Sequence, residues 1–262
     1  MVILNSIQEK FHHIAQFLGA FSNSFLPKQS DDSQTAMKWD IGKSALQSQK
    51  VSNTYIELSY KDIMLRIKHN DTTYELDLLG VDFDTIKNWI VENLEDFGIS
   101  AENFTTNLGY KLPTPFNGFV AVDNEDEMAI YTAIEHRNIA QKCLESLAVN
   151  GHSKTSEIFV WPHHFDTGML INKATDDSFE KIIGCGYAIA DHICNVPYFY
   201  AYAWAKDENL SYTNPTQLSV GQWHIKEDWK GILLPANFTD NITLNSVTSF
   251  YNEAVFALTK IL

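Results

Sequence analysis

The stretch "TYIELSYKDIMLRIKHNDTTYELDL", residues 54–78, alternates apolar and polar side chains with period two. That is the pattern of antiparallel strands with one buried face. A two-residue turn at Asn70-Asp71 sets Arg66 opposite Glu75, Leu65 opposite Leu76 and Ile67 opposite Tyr74. One register thus pairs apolar with apolar and cation with carboxylate, which pins a sheet against slippage. A second tight turn at Tyr60-Lys61 is expected to bring Ile56 beside Leu65. The segment is predicted to be a β-meander.

On its N-terminal side, "PKQSDDSQTAMK" (27–38) is polar, opens on proline and is read as a loop. Ahead of it Ile7, Phe11, Ile14, Leu18 and Phe21 recur at helical spacing, with Ser6 and Glu9 fitting a capping box. One of His12 and His13 on this helix is expected to face solvent. The segment lacks the basic start and continuous apolar run of a signal peptide. On the other side, Asp84 is expected to cap a helix that buries Ile86, Ile90, Leu94 and Phe97 and stops at Gly98. "NFTTN" (103–107) is strand-like, and "LPTPF" (112–116) is an extended connector because proline biases its predecessor away from helix. A long helix is expected from Asp123, through an acidic first turn of Glu125, Asp126 and Glu127, to Asn150 and a stop at Gly151. Its apolar stripe drifts from Ile130, Tyr131 and Ile134 to Ile139, Cys143 and Leu147 on nearly the opposite side, which predicts burial between layers.

"FDTGMLINK" (165–173), "KIIGCGYAIAD" (181–191) and "PYFYAYAW" (197–204) make a second antiparallel meander. In the middle strand Gly184, Gly186 and Ala188 share one face, with Ile183, Cys185, Tyr187 and Ile189 on the other. In the third, Tyr198, Tyr200, Tyr202 and Trp204 share a face, with Phe199, Ala201 and Ala203 behind. The small faces are expected to let a helix lie close, leaving the aromatic face for something else. An aromatic, polar stretch, "GQWHIKEDWKG" (221–231), leads through "ILLP" to a final helix from Thr243 carrying Leu244, Val247, Tyr251, Val255 and Leu258 on one side. The fold class is therefore α+β, two antiparallel β-meanders packed with α-helices. Residues 1–118 hold the first helix, meander and helix, and residues 119–262 hold the long helix, second meander and last helix, within one compact unit.

Composition narrows the function. Of 262 residues, 45% are hydrophobic and 13% aromatic, enough for a large core. The formal net charge of −14 repels phosphate backbones and anionic lipid, and no block of Lys or Arg offsets it, so neither nucleic acid nor a membrane is an expected partner. No run approaches a membrane span. Cys143, Cys185 and Cys194 form no CxxC pair and are read as reduced thiols of a cytoplasmic protein. No GxGxxG, P-loop, GxSxG or HExxH motif is present, and no cofactor is expected.

Chemistry concentrates in "FVWPHHFDTGMLI", residues 159–171. On an extended chain Trp161, His163 and Phe165 point one way, while His164 and Asp166 converge on the other side. A His-x-Asp pair suits an acid–base couple, two ligands of a divalent metal, or a structural hydrogen bond at a sheet edge. A metal set would be His164, Asp166 and His192, with Asp191 and His224 as further candidates. The aromatic face of Tyr187, Tyr198, Tyr200, Tyr202 and Trp204 is either a ligand-pocket lining or packed core or a dimer face. Three functions follow. The leading one is a small-molecule-binding protein whose site comprises His164, Asp166, Tyr198, Tyr200, Tyr202 and Trp204, with catalysis left open. The others are a metal-dependent, hydrolytic enzyme, and a structural or interaction protein with the aromatic face in a homo-oligomer.

The succession "WPHHFDTG", "GCGYAIAD", "PYFYAYAW" and "ILLP" before a C-terminal helix resembles the bacterial family catalogued as domain of unknown function 5996. The resemblance covers most of the chain after about residue 38, and it places His163, His164, Phe165 and Asp166 on the family's signature. Thr167-Gly168 stands where members carry Leu-Ala, and "GYAIAD" replaces a glycine-proline hairpin while keeping an acid at Asp191. The resemblance implies no particular activity.

Overall fold

The computed structural model describes residues 2–118, 121–123, 127–150, 153–206 and 209–262. Strands β3 (Thr54–Ser59), β4 (Met64–His69) and β5 (Thr72–Asp77) form the expected meander, and Arg66 pairs with Glu75, Leu65 with Leu76 and Ile67 with Tyr74. The other turn differs from expectation. Ile56 pairs with Ile67 and Leu58 with Leu65, so residues 60–63 form a longer loop. Tyr60 cannot serve in a tight exposed turn because its ring is buried, stacked 3.9 Å from Phe11 and edge-on to Trp39. The slip is of two residues, so every side chain keeps its face.

Two short strands, β1 (Lys38–Asp40) and β2 (Ala45–Gln47), extend this sheet to five in the order β1-β2-β3-β4-β5. One face carries Glu57, fully buried among Lys68 at 2.9 Å, Lys43 at 3.5 Å and Arg66 at 3.7 Å. Burial pushes the Glu57 carboxyl up, but hydrogen bonds from Lys68 and Gln47 and the charges of Lys68 and Lys43 outweigh it and hold it below the usual range.

Helix α1 (Val2–Phe25) starts before Ser6, so the expected capping box is absent and Ser6 lies inside the helix. The apolar stripe is buried as predicted, and so are Gln8, His12, His13 and Gln16. Helix α2 (Phe83–Leu94) is capped two residues earlier than expected, with Asp82 accepting from the Thr85 N–H, and ends through a 3-10 turn at Gly98 (φ 69°). "NFTTN" is irregular, not a strand.

Helix α3 (Glu127–Asn150) is continuous. The expected acidic residues Glu125 and Asp126 and the stop at Gly151 lie outside the described residues. The chain divides into two compact units: the first holds residues 2–134 and 160–165, the second 135–159 and 166–262. The division falls inside α3, which accounts for its drifting stripe: Ile130 and Ile134 are buried in the first unit, Cys143 and Leu144 in the second. Tyr131 is 61% exposed and belongs to neither core.

The second sheet has the strand order β10-β11-β9-β8-β7-β6, from β6 (Phe159–Trp161), β7 (Asp166–Asn172), β8 (Lys181–Ala188), β9 (Tyr198–Ala205), β10 (Gln222–Ile225) and β11 (Lys230–Pro235). The stretch 221–235 is thus a hairpin that adds two strands to the expected three. Helix α4 (Leu244–Thr259) is capped by Thr243 with Ser246. Its Phe250, Tyr251 and Ala254 pack with Cys143 and Leu144 of α3 against Ile183, Cys185, Tyr187, Phe199 and Ala201 of the sheet. This buried layer stabilises the second unit by about 25 cal/mol per Å² of apolar surface removed from water.

Candidate functional site

The expected extended geometry of "WPHHFD" is not what forms. Residues 162–165 make a turn, closed by the Phe165 N–H donating to the Trp161 carbonyl at 2.7 Å. Phe165 sits at φ 56°, a left-handed conformation rare for a bulky side chain. Such strain persists only where surroundings impose it. Here Phe165 is fully buried and stacked 4.9 Å from the His12 ring, while His12 Nε2 and Gln16 Nε2 both donate to the Pro162 carbonyl, at 2.7 and 2.8 Å. Tyr110 donates to Gln16 Oε1 at 2.7 Å behind them. Burial holds the neighbouring His13 below its usual pKa, against the opposing charge of Glu9.

The turn re-aims the side chains. Phe165 is core, His163 is half-buried beside Trp161 and Tyr110, and His164 is exposed. Trp161, His163 and Phe165 therefore do not share one environment. His164 belongs to the first unit and Asp166, the first residue of β7, to the second.

Asp166 is met by Tyr200. Gly186 on β8 pairs with Tyr200 on β9 and with Gly168 on β7, and the Tyr200 ring lies over Gly186. It crosses β8 and donates its hydroxyl to Asp166 Oδ2 at 2.5 Å. A Cβ on Gly186 would stand 2.5 Å from Tyr200 Cζ, and one on Gly184 would overlap the Tyr202 ring. The glycine face of β8 and the tyrosine face of β9 are one face. The expectation that a helix lies on the glycines is thereby corrected: tyrosines fill that space, and α4 packs on the opposite face beside Ala201. Tyr187 also belongs to that opposite face, paired with Phe199, and not to the tyrosine row.

The row is graded in exposure. Tyr198 is buried and donates to Asp191 Oδ2 at 2.9 Å, Tyr200 and Tyr202 are half-buried, and Trp204 is 47% exposed. Burial raises the Tyr198 and Tyr200 hydroxyls well above their usual pKa, helped by the charges of Asp191 and Asp166 respectively, and pushes Tyr202 up to about 12. All three stay neutral at physiological pH. Trp229, in the β10–β11 hairpin, lies over Gly231 and stands nearly perpendicular to Tyr200 (6.5 Å, 90°) and tilted to Tyr202 (6.3 Å, 64°). Sequence reasoning assigned nothing to Trp229; only the hairpin brings it to the row.

The other candidates separate. Asp191 ties its own loop, accepting from the N–H groups of Ile193 and Cys194, and His192 is exposed. His224 is buried edge-on to Trp229, 3.7 Å from Asp228 Oδ1, and its Nε2 makes no hydrogen bond among the described residues. Among those residues no three His, Cys, Asp or Glu side chains are grouped as a metal ion requires. No helix among them is long and apolar enough to cross a membrane.

Behind the sheet, sequence reasoning missed two residues of α3. His136 Nδ1 meets the Tyr187 hydroxyl at 3.2 Å, and burial lowers this histidine to about 4. Arg137, 1% exposed, donates to Thr167 Oγ1 at 3.0 Å. Their signal was a His-Arg pair inside an otherwise apolar helical stripe. A cleft of about 200 Å³ also opens between α3 and α4, lined by Cys143, Ser146, Leu147, Thr248, Tyr251 and Asn252.

No protein-family model, curated protein sequence or solved structure matches this chain.

Proposed function

We propose that this protein binds a small molecule on the tyrosine face of its second sheet. The observation that carries the proposal is the Tyr200–Asp166 hydrogen bond. It fixes one ring flat over the glycine track with a carboxylate at its edge, next to the half-buried ring of Tyr202 and the open indole of Trp204. Rigid aromatics with a polar group at the edge are the usual composition of small-ligand sites. The three unpaired cysteines support a reducing compartment such as the cytoplasm.

Ligand-observed NMR with phenol, indole and cyclohexanol as probes tests the reading on the full chain. Saturation transfer to any of them that falls in Tyr202→Ala and in Trp204→Ala supports it. Transfer that both variants leave unchanged moves the ligand elsewhere, to the α3–α4 cleft for example.

A further inference from the structure

The ligand class is open in the reading above, and the charge pattern of the tyrosine face narrows it. In the paired strands, that face carries Asp166, Gly168 and Leu170 on β7, and Gly184, Gly186 and Ala188 on β8. The tyrosine row of β9 follows, then Gly231 and Leu233 of β11 and Gln222 and His224 of β10. Among these described positions there is no Lys or Arg, whereas Lys181 and Lys230 alternate to the opposite side. The face lies on a chain of net charge −14.

The rings add geometry to that field. Tyr200 and Tyr202 are inclined by only 27° with centroids 6.2 Å apart, which makes a floor of two π faces. Trp229 rises from it as a wall at 90° to one ring and 64° to the other. Tyr200 keeps its proton and donates it in a hydrogen bond to a carboxylate, so its phenol ring is more electron-rich than a free one. A floor and wall of aromatic faces, with a carboxylate as the fixed charge, attract a cation through the ring quadrupoles.

We propose that the corner formed by Tyr200, Tyr202 and Trp229 binds a small organic cation of the quaternary or N-methylated ammonium class. The proposal rests on the tyrosine-face reading.

Choline and its uncharged isostere 3,3-dimethylbutan-1-ol, titrated separately into the full chain and followed by ligand-observed NMR and calorimetry, test the charge requirement. Choline is expected to bind about tenfold more tightly than the isostere, to weaken with added salt, and to lose binding in Trp229→Leu. Tyr202→Phe, which keeps the ring and removes the hydroxyl, is expected to retain it. Equal binding of both probes overturns the cation proposal and leaves the small-molecule site standing. Loss in Tyr202→Phe likewise overturns it, since the hydroxyl and not the ring face would be the contact. If neither these probes nor phenol, indole and cyclohexanol bind, the cation proposal and the tyrosine-face reading fall together.

Discussion

Tyr200 reaches over Gly186 to donate its hydroxyl to Asp166 at 2.5 Å, joining β9 to β7 across the strand between them. Hydrogen bonds to charged groups contribute about 1.5–3 kcal/mol. Tyr200→Phe keeps the ring over Gly186 and removes only this bond, so urea denaturation is expected to show a loss in that range. A loss below about 0.5 kcal/mol would mean that water replaces the phenol at no cost.

The glycines beneath the row give a sharper test. The three atoms nearest a methyl at Gly184 all belong to Tyr202, whereas those nearest one at Gly186 belong to both Tyr200 and the Thr167 backbone carbonyl. Each alanine substitution is expected to destabilise by about 1–3 kcal/mol through overpacking. Adding Tyr202→Ala should relieve most of the Gly184→Ala strain. Adding Tyr200→Ala should leave Gly186→Ala strained, because a backbone carbonyl does not move aside. A double-mutant cycle at each pair measures the difference.

His136 supplies a pH dependence. Burial lowers it from 6.5 to about 4, so between those values the unfolded chain takes up a proton that the folded chain refuses. Stability therefore falls as the pH drops from 6.5 toward 4, by about 3 kcal/mol in all for this one group. Denaturation above and below that window should show the slope in wild type and a flatter profile in His136→Gln.

Glu57 acts at lower pH. Its carboxyl is held below the ordinary 4.5, so its contribution is present above that value and is lost as the pH falls through the depressed value. Glu57→Gln leaves Lys43, Arg66 and Lys68 around an uncharged side chain. Because these cations are partly solvated, the expected loss at neutral pH is about 2 kcal/mol, less than for a fully buried pair. Chemical denaturation of the variant at neutral pH checks it.

Around the "PHHF" turn the expected stability effects run opposite to prominence in the sequence. His12→Ala removes a buried ring stacked on Phe165 and a donor to Pro162, at about 2–4 kcal/mol. His164→Ala touches an exposed side chain and should stay within about 0.5 kcal/mol. Thermal melts of both compare them directly; a large loss in His164→Ala would contradict its exposure.

These residues also mark what a single sequence can and cannot carry. The Arg66–Glu75 register was legible because a two-residue turn fixes it locally. The Tyr60 loop was not, since the ring is claimed by Phe11 and Trp39 from outside the meander. The side-chain alternation within β8 and within β9 was read correctly for each strand. Their merger into one face needed the Gly184–Tyr202 and Gly186–Tyr200 pairings, which no single strand encodes. The "PHHF" turn was illegible because α1, far away in sequence, imposes it through His12 and Gln16. Trp229 was overlooked because strands as short as β10 leave too little alternation to see.

The return of residues 160–165 to the first unit has a consequence for the order of synthesis. Val160 exchanges backbone hydrogen bonds with Met37 at 2.8 and 2.9 Å, and the Pro162 carbonyl satisfies two donors of α1. A nascent chain that has delivered everything up to Ile134 still lacks this segment, and His12 and Gln16 are left without the acceptor they were built around. The first half to be translated therefore cannot mature first. Its contacts to the Pro162 carbonyl close only once the ribosome has passed Phe165 and the second half is already emerging.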